Sequence, residues 1–192
     1  MLKKYYASVL ISAGVVISAC STTHKPGIHE VFQVPENTRF YTASTLWYTD
    51  PDDMTSLNYQ NGEKLPYGTE VENVEFDKQS VSFAVKGTEK VYTIDLKKDY
   101  TLLRMNDYLK QLLTVTNPVE VELDIEPVVF EKIKRGVVEP GMTKDQVLLA
   151  YGYPSKHRTP DTSLNTWIYE VDDSTSKRVI FRSGKVLKVI NN

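Results

Sequence analysis

Hydrophobic and polar positions follow three successive patterns along this 192-residue chain. The first is an uncharged run, Ala7 to Ala19, behind the basic pair Lys3-Lys4. It is too short for a bilayer core of about 30 Å, which needs roughly 20 apolar residues. Basic start, short apolar stretch and small residues at its end are the parts of a secretory signal over residues 1–19. Ser21 to Pro26 is polar and has no period. A flexible tether is therefore expected over 20–36.

From Arg39 to Leu96 the period is two. Arg39–Thr42 and Thr45–Tyr48 are aromatic and β-branched, a composition suited to a pleated, half-buried surface. Asp50-Pro51-Asp52-Asp53, Asn61-Gly62, Pro66 with Gly68, and Gly87-Thr88 punctuate the run as turns. Val81, Phe83 and Val85 alternate with polar or small residues, and Tyr92, Ile94 and Leu96 repeat the pattern after the turn. Five short strands are predicted, closing into a small antiparallel β-barrel of SH3-like type. Leu102, Leu103, Tyr108, Leu109, Leu112 and Leu113 then return at helical spacing.

Thr114 to Glu126 breaks the pattern again. Pro118 and the Val/Glu alternation argue against a helix there, so a joint is expected near Asn117. Pro127 then suits a first helical position, and Val129, Phe130, Ile133 and Val137 form one stripe that Pro140-Gly141 would end. The next helix is fully punctuated. Thr143 and Gln146 are spaced as a capping box, Met142 can staple onto Val147, and Gly152 with Pro154 is a stop. Strands over Thr166–Val171, Arg178–Arg182 and Lys185–Ile190 complete the chain. The expected class is α+β: a β-rich region over 37–116 ending in a helix, then two helices and a three-stranded antiparallel sheet over 117–192.

Charge narrows the partners. Without residues 1–19 the two early lysines go, so 23 basic residues become 21 against 25 acidic ones, and the net charge moves from −2 to −4. That balance speaks against nucleic acid and against a general electrostatic grip on anionic lipid, while leaving room for a local patch. Cys20 is the single cysteine, so the fold is expected to hold without a disulfide.

The cysteine itself stands at a telling place. Ile17-Ser18-Ala19-Cys20 resembles the lipobox of bacterial lipoproteins. The resemblance implies that the Cys20 thiol takes a diacylglycerol, that the signal is cut before it and that the new amino end is acylated. Several chains are needed, because one gives only marginal binding at about 0.8 kcal/mol per buried CH₂. Ser21, where an Asp would mark inner-membrane retention, resembles the outer-membrane type of a Gram-negative source. The expected location is the outer membrane, lipid-anchored and facing the periplasm.

A second resemblance covers Pro127 to Asn192. Gly141-Met142-Thr143-Lys144-Asp145-Gln146-Val147, Gly152-Tyr153-Pro154, Trp167-Ile168-Tyr169, Phe181 and Gly184-Lys185-Val186 follow in one order. This set resembles the SmpA/OmlA (BamE-like) family of small outer-membrane lipoproteins. The resemblance implies an accessory, non-catalytic protein of the machinery that folds β-barrel proteins into the outer membrane. The chain departs from the family by its β-rich region ahead of the domain. Similar modules in β-lactamase-inhibitor proteins tie the motif more closely to a fold than to a task.

The same residues have structural explanations. Thr143, Gln146, Gly152 and Pro154 are accounted for by capping, and Trp167, Tyr169 and Phe181 by a sheet core. Asp50, Asp52 and Asp53 lack the spacing of a calcium loop and read, like Asp172-Asp173, as turns. His24, His29 and His157 are scattered. There is no Gly-rich phosphate loop, GxSxG or metal-binding His pair. The expectation is therefore no enzyme, no cofactor and no metal, with Cys20 as the one modified residue. The partners expected are the membrane, through the anchor, and envelope proteins, among them the β-barrel assembly machinery. Two other readings stay open: a peptidoglycan- or glycan-binding module using the tyrosines of the β-rich region, and an inhibitor of a periplasmic enzyme.

Overall fold

The computed structural model describes residues 25–191 and is mixed α+β. The first element falls where a tether was expected. Helix α1 (Ile28–Phe32) buries Ile28 and Val31, and the rings of His29 and Phe32 each meet Phe40 edge-on with centroids 5.1 Å apart. Three apolar side chains in one turn are enough to seat a short helix on an existing core, so the packed chain begins before residue 36.

Seven strands follow instead of five: β1 (Phe40–Thr42), β2 (Leu46–Tyr48), β3 (Met54–Thr55), β4 (Glu63–Leu65), β5 (Glu70–Phe76), β6 (Ser80–Val85) and β7 (Val91–Asp95). Five of them join β8 (Leu113–Thr114) in one curled six-stranded sheet in the order β3-β7-β6-β5-β1-β8. It is not wholly antiparallel, because β3 runs parallel to β7. The period-two reading of β6 holds at Val81 and Phe83, both fully buried. Strands β2 and β4 leave the sheet and pair only with each other.

The helix expected from Leu102 is broken. Helix α2 (Lys98–Thr101) ends at Leu102, which takes a left-handed conformation (φ 56°), and α3 (Met105–Leu112) starts three residues on. Met105, Tyr108, Leu109 and Leu112 of α3 face the sheet, whereas Leu102 is 63% exposed. Two adjacent leucines at the start of a helical pattern do not say which one the helix includes.

The joint carries a helix after all. In α4 (Pro118–Leu123) the Asn117 side chain accepts the Val119 amide at 3.1 Å and Pro118 occupies the first turn, where its missing N–H costs nothing. Helix α5 (Pro127–Lys134) stops before Pro140: the amides of Gly136 and Val137 bond back to Ile133 and Lys132, a Schellman closure with Gly136 at φ 61°. Helix α6 (Lys144–Tyr151) has the expected box, with Thr143 N donating to Gln146 Oε1 at 2.9 Å and Gln146 N to Thr143 Oγ1 at 3.2 Å. Strands β9 (Thr166–Glu170), β10 (Ser176–Arg182) and β11 (Lys185–Asn191) form the antiparallel sheet β11-β10-β9. Ser183 and Gly184, both at positive φ, close the β10–β11 hairpin.

Two cores result. One gathers α1, the curled sheet and α3; the other gathers α5, α6 and the three-stranded sheet around Trp167, Val179, Ile133 and Val147, all fully buried. The second core also takes Trp47 from β2 and Tyr67 from just after β4. The β2–β4 ribbon thus lies between the two cores, with Leu46, Tyr48 and Leu65 in the first and Trp47 in the second.

Candidate functional site

The seam between the two cores is held by polar side chains rather than by a flexible link. Thr45, fully buried, donates its hydroxyl to the Ile133 carbonyl at 2.8 Å and accepts the Tyr67 amide at 3.1 Å. Its own amide bonds the Leu149 carbonyl. Asn58 extends the seam: its Nδ2 donates to the carbonyls of Thr45 and Tyr151, both at 3.1 Å, and its Oδ1 accepts the Trp47 amide at 2.9 Å. Such saturated buried networks fix one relative arrangement.

A cleft of about 260 Å³ opens along this seam between Ser44, Asn58, Thr101, Gln111 and the 152–162 loop. At its loop side, Ser155 Oγ donates to the buried carboxylate of Glu170 at 2.8 Å, with Arg158 Nε at 4.0 Å. This bond ties the 152–162 loop to the end of β9. Behind it, the Gln60 backbone amide bonds the Glu170 carbonyl, while the Gln60 side-chain nitrogen and oxygen are buried without a partner among the described residues. Tyr59 donates to Asp173 at 2.7 Å, and burial together with that bond pushes its hydroxyl up to about 12. Asp172 gathers the Ser174 and Thr175 groups of the same turn, and the Thr175 hydroxyl, foremost, holds its carboxyl down at about 2.

The feature that points outward lies on α4 and the first turn of α5. Val119 and Val128 are each 60% exposed and Leu123 is 83% exposed. Val121 and Ile125 turn the other way and pack against the second core. Glu120, Glu122, Asp124 and Glu126 stand between these residues, all exposed, and none makes an ion pair among the described residues. Beside the strip runs a groove of about 380 Å³ lined by Tyr67, Leu113, Val115, Val121 and Leu148. One of its walls is β8, an edge strand of the curled sheet. An exposed apolar strip with a polar rim is the usual mark of a protein-binding face.

The residues singled out in the sequence are placed as follows. Cys20 and His24 lie outside the described residues. Trp167, Tyr169 and Phe181 are buried and belong to the second core. Tyr48, Tyr67 and Tyr92 are buried too, so these rings of the β-rich region are core rather than a stacking face. His29 meets Glu36 at 3.4 Å, and His157 lies edge-on to Tyr100 at 5.6 Å. Among the described residues no group of three His, Cys, Asp or Glu could hold a metal ion, and no helix is long and apolar enough to cross a membrane. The α4 strip escaped sequence reading, although Val119, Leu123 and four carboxylates in one short stretch were the signal available.

No protein-family model, curated protein or solved structure matches the chain.

Proposed function

We propose that this protein is a non-catalytic, lipid-anchored envelope protein that works by holding another protein on its α4–α5 face. One observation carries the reading: Val119, Leu123 and Val128 are exposed within a rim of four carboxylates that make no ion pair among the described residues. Leaving a leucine 83% exposed forgoes burial worth about 1.5–3 kcal/mol, and a partner would recover it. The rim selects that partner by charge. It suits a protein segment that presents apolar side chains flanked by Lys or Arg, and it repels an acidic one. The lipobox-like Ile17-Ser18-Ala19-Cys20 supports an envelope setting, and the likeness of 141–186 to the SmpA/OmlA family makes the β-barrel assembly machinery the first partner to test.

The test is a photocrosslinking residue at position 123 in intact envelopes, with the same residue at position 188 on the exposed side of β11 as the reference. A discrete adduct at 123 and none at 188 is the expected result, and the adduct's mass identifies the partner. Equal labelling at both positions, or none at either, would overturn the docking face. The anchor is read separately, as acyl mass on Cys20 and release of a Cys20→Ala chain from membranes.

A further inference from the structure

At the end of the molecule where the described chain begins, α3 and the β5–β6 turn enclose a cleft of about 710 Å³. Its mouth carries Lys25, Lys78, Lys98 and Arg104, all exposed. None of the four makes an ion pair among the described residues. Two carboxylates share the cleft, Asp77 and Asp107. Asp77 is already engaged, accepting the Gln79 and Ser80 amides at 2.7 and 2.9 Å. Four cations against two anions give this cleft a local charge of +2 in a chain whose net charge is −2.

The floor is apolar. Phe76, Leu103 and the buried Met105 line it, so the cleft offers cations at its rim and carbon below. Next to it stands Leu102, 63% exposed and held in a left-handed conformation that leucine rarely adopts. Tyr100, 46% exposed, lies two positions before it. Tyr and Leu projecting between Lys98 and Arg104 combine an apolar tip with basic flanks, the pairing that favours a membrane–water interface.

Where the chain enters adds a third constraint. Lys25 follows Cys20 by five positions, and five residues span at most about 17 Å at 3.3–3.6 Å each. An acylated Cys20 therefore brings this cleft, and no remote part of the surface, up against the headgroups.

We propose that the cleft binds an anionic phospholipid, its phosphate among Lys78, Lys98 and Arg104 and its glycerol and first methylenes over Phe76 and Leu103, with Leu102 dipping into the interface. The orientation rests on the Cys20 anchor; the binding chemistry does not. A free phosphate would use the rim and leave the apolar floor and Leu102 without a role.

The experiment uses the mature chain with Cys20→Ser, so that no acyl chain contributes, in flotation with phosphatidylcholine vesicles with and without phosphatidylglycerol. The expected result is flotation with the anionic vesicles only, weakened by salt. Replacing two cations, Lys78→Gln with Arg104→Gln, lowers the apparent affinity by about tenfold or more. Leu102→Gly, which suits the backbone there, also lowers it while the melting temperature stays at the parent value or above. The pair Lys185→Gln with Lys188→Gln, on β11, changes it by less than about twofold. Equal flotation with both vesicle types, equal loss in the β11 pair, or saturation by inorganic phosphate without any vesicle preference would each overturn the proposal. Acyl mass on wild-type Cys20 decides the anchor independently of these outcomes.

Discussion

The indole of Trp47, carried on β2, occupies the space that a side chain on Gly136 would need at the end of α5. The two residues belong to different halves of the chain, and each makes sense only through the other. Gly136 supplies the positive φ of 61° that closes the helix, and its missing Cβ leaves room for the Trp47 ring. Gly136→Ala would meet both constraints at once. We expect a loss of about 2–4 kcal/mol in urea unfolding, from left-handed strain plus overpacking. Trp47→Leu in the same chain should return part of it, and strict additivity of the two changes would refute the contact.

Thr45 makes a second test of the seam. Thr45→Val keeps the shape but strips the hydroxyl from the Ile133 carbonyl and the Tyr67 amide, both buried. The expected cost is about 1–3 kcal/mol, because a buried polar group left unsatisfied bears its full desolvation penalty. A stability within error of the parent would mean that water replaces the hydroxyl.

Gln60 should respond in the opposite direction. Its buried side-chain amide has no partner among the described residues, so Gln60→Met, of similar length and with no hydrogen-bonding side chain, is expected to raise stability by about 1 kcal/mol or more. A rise in melting temperature checks it, and a fall would show that the amide is paired in solution.

The turn at Asp172 gives a pH signature. Its folded carboxyl titrates near 2 because it accepts the Thr175 and Ser174 groups, below the unfolded value of about 3.9. A depressed folded pKa contributes stability that is complete above the unfolded value and is lost as pH falls through about 2. The stability gap between the parent and Asp172→Ala should therefore be constant from neutrality to about pH 5 and close on further acidification. A gap that stays open at pH 2 would place the effect elsewhere.

The α4 strip should be separable from the fold. Val119→Ser with Val128→Ser, both 60% exposed, is expected to change stability by no more than about 0.5 kcal/mol, while abolishing the adduct formed from position 123. Leu109→Ala, at a fully buried position, should cost about 2–5 kcal/mol by the same assay.

Elements with their own punctuation were readable before any coordinates. The α6 box, the Ser183-Gly184 hairpin and the alternation at Val81 and Phe83 state their conformation within a few residues. Elements defined by a distant partner were not. Ile28 and Val31 sit in a five-residue segment too short to show a helical period, and only the core beneath them makes a helix of it. The Val/Glu alternation of 119–122 reads as period two because six residues are too few to display 3.6, and the Asn117 cap decides the matter. Nothing local told that β2 would abandon the curled sheet, since its three residues are buried on every side. The candidate faces suffered the same way: both are made of ordinary surface residues whose meaning is that they lack a neighbour.

The shared ribbon also sets a timetable. A chain synthesised from its amino end delivers Thr45 and Trp47 long before their receptors; the Ile133 carbonyl follows Thr45 by 88 residues. Until α5 has been made, the Trp47 indole and the Thr45 hydroxyl of the early half are without these contacts. Release of the last helices then does more than add a domain: it finishes the first one.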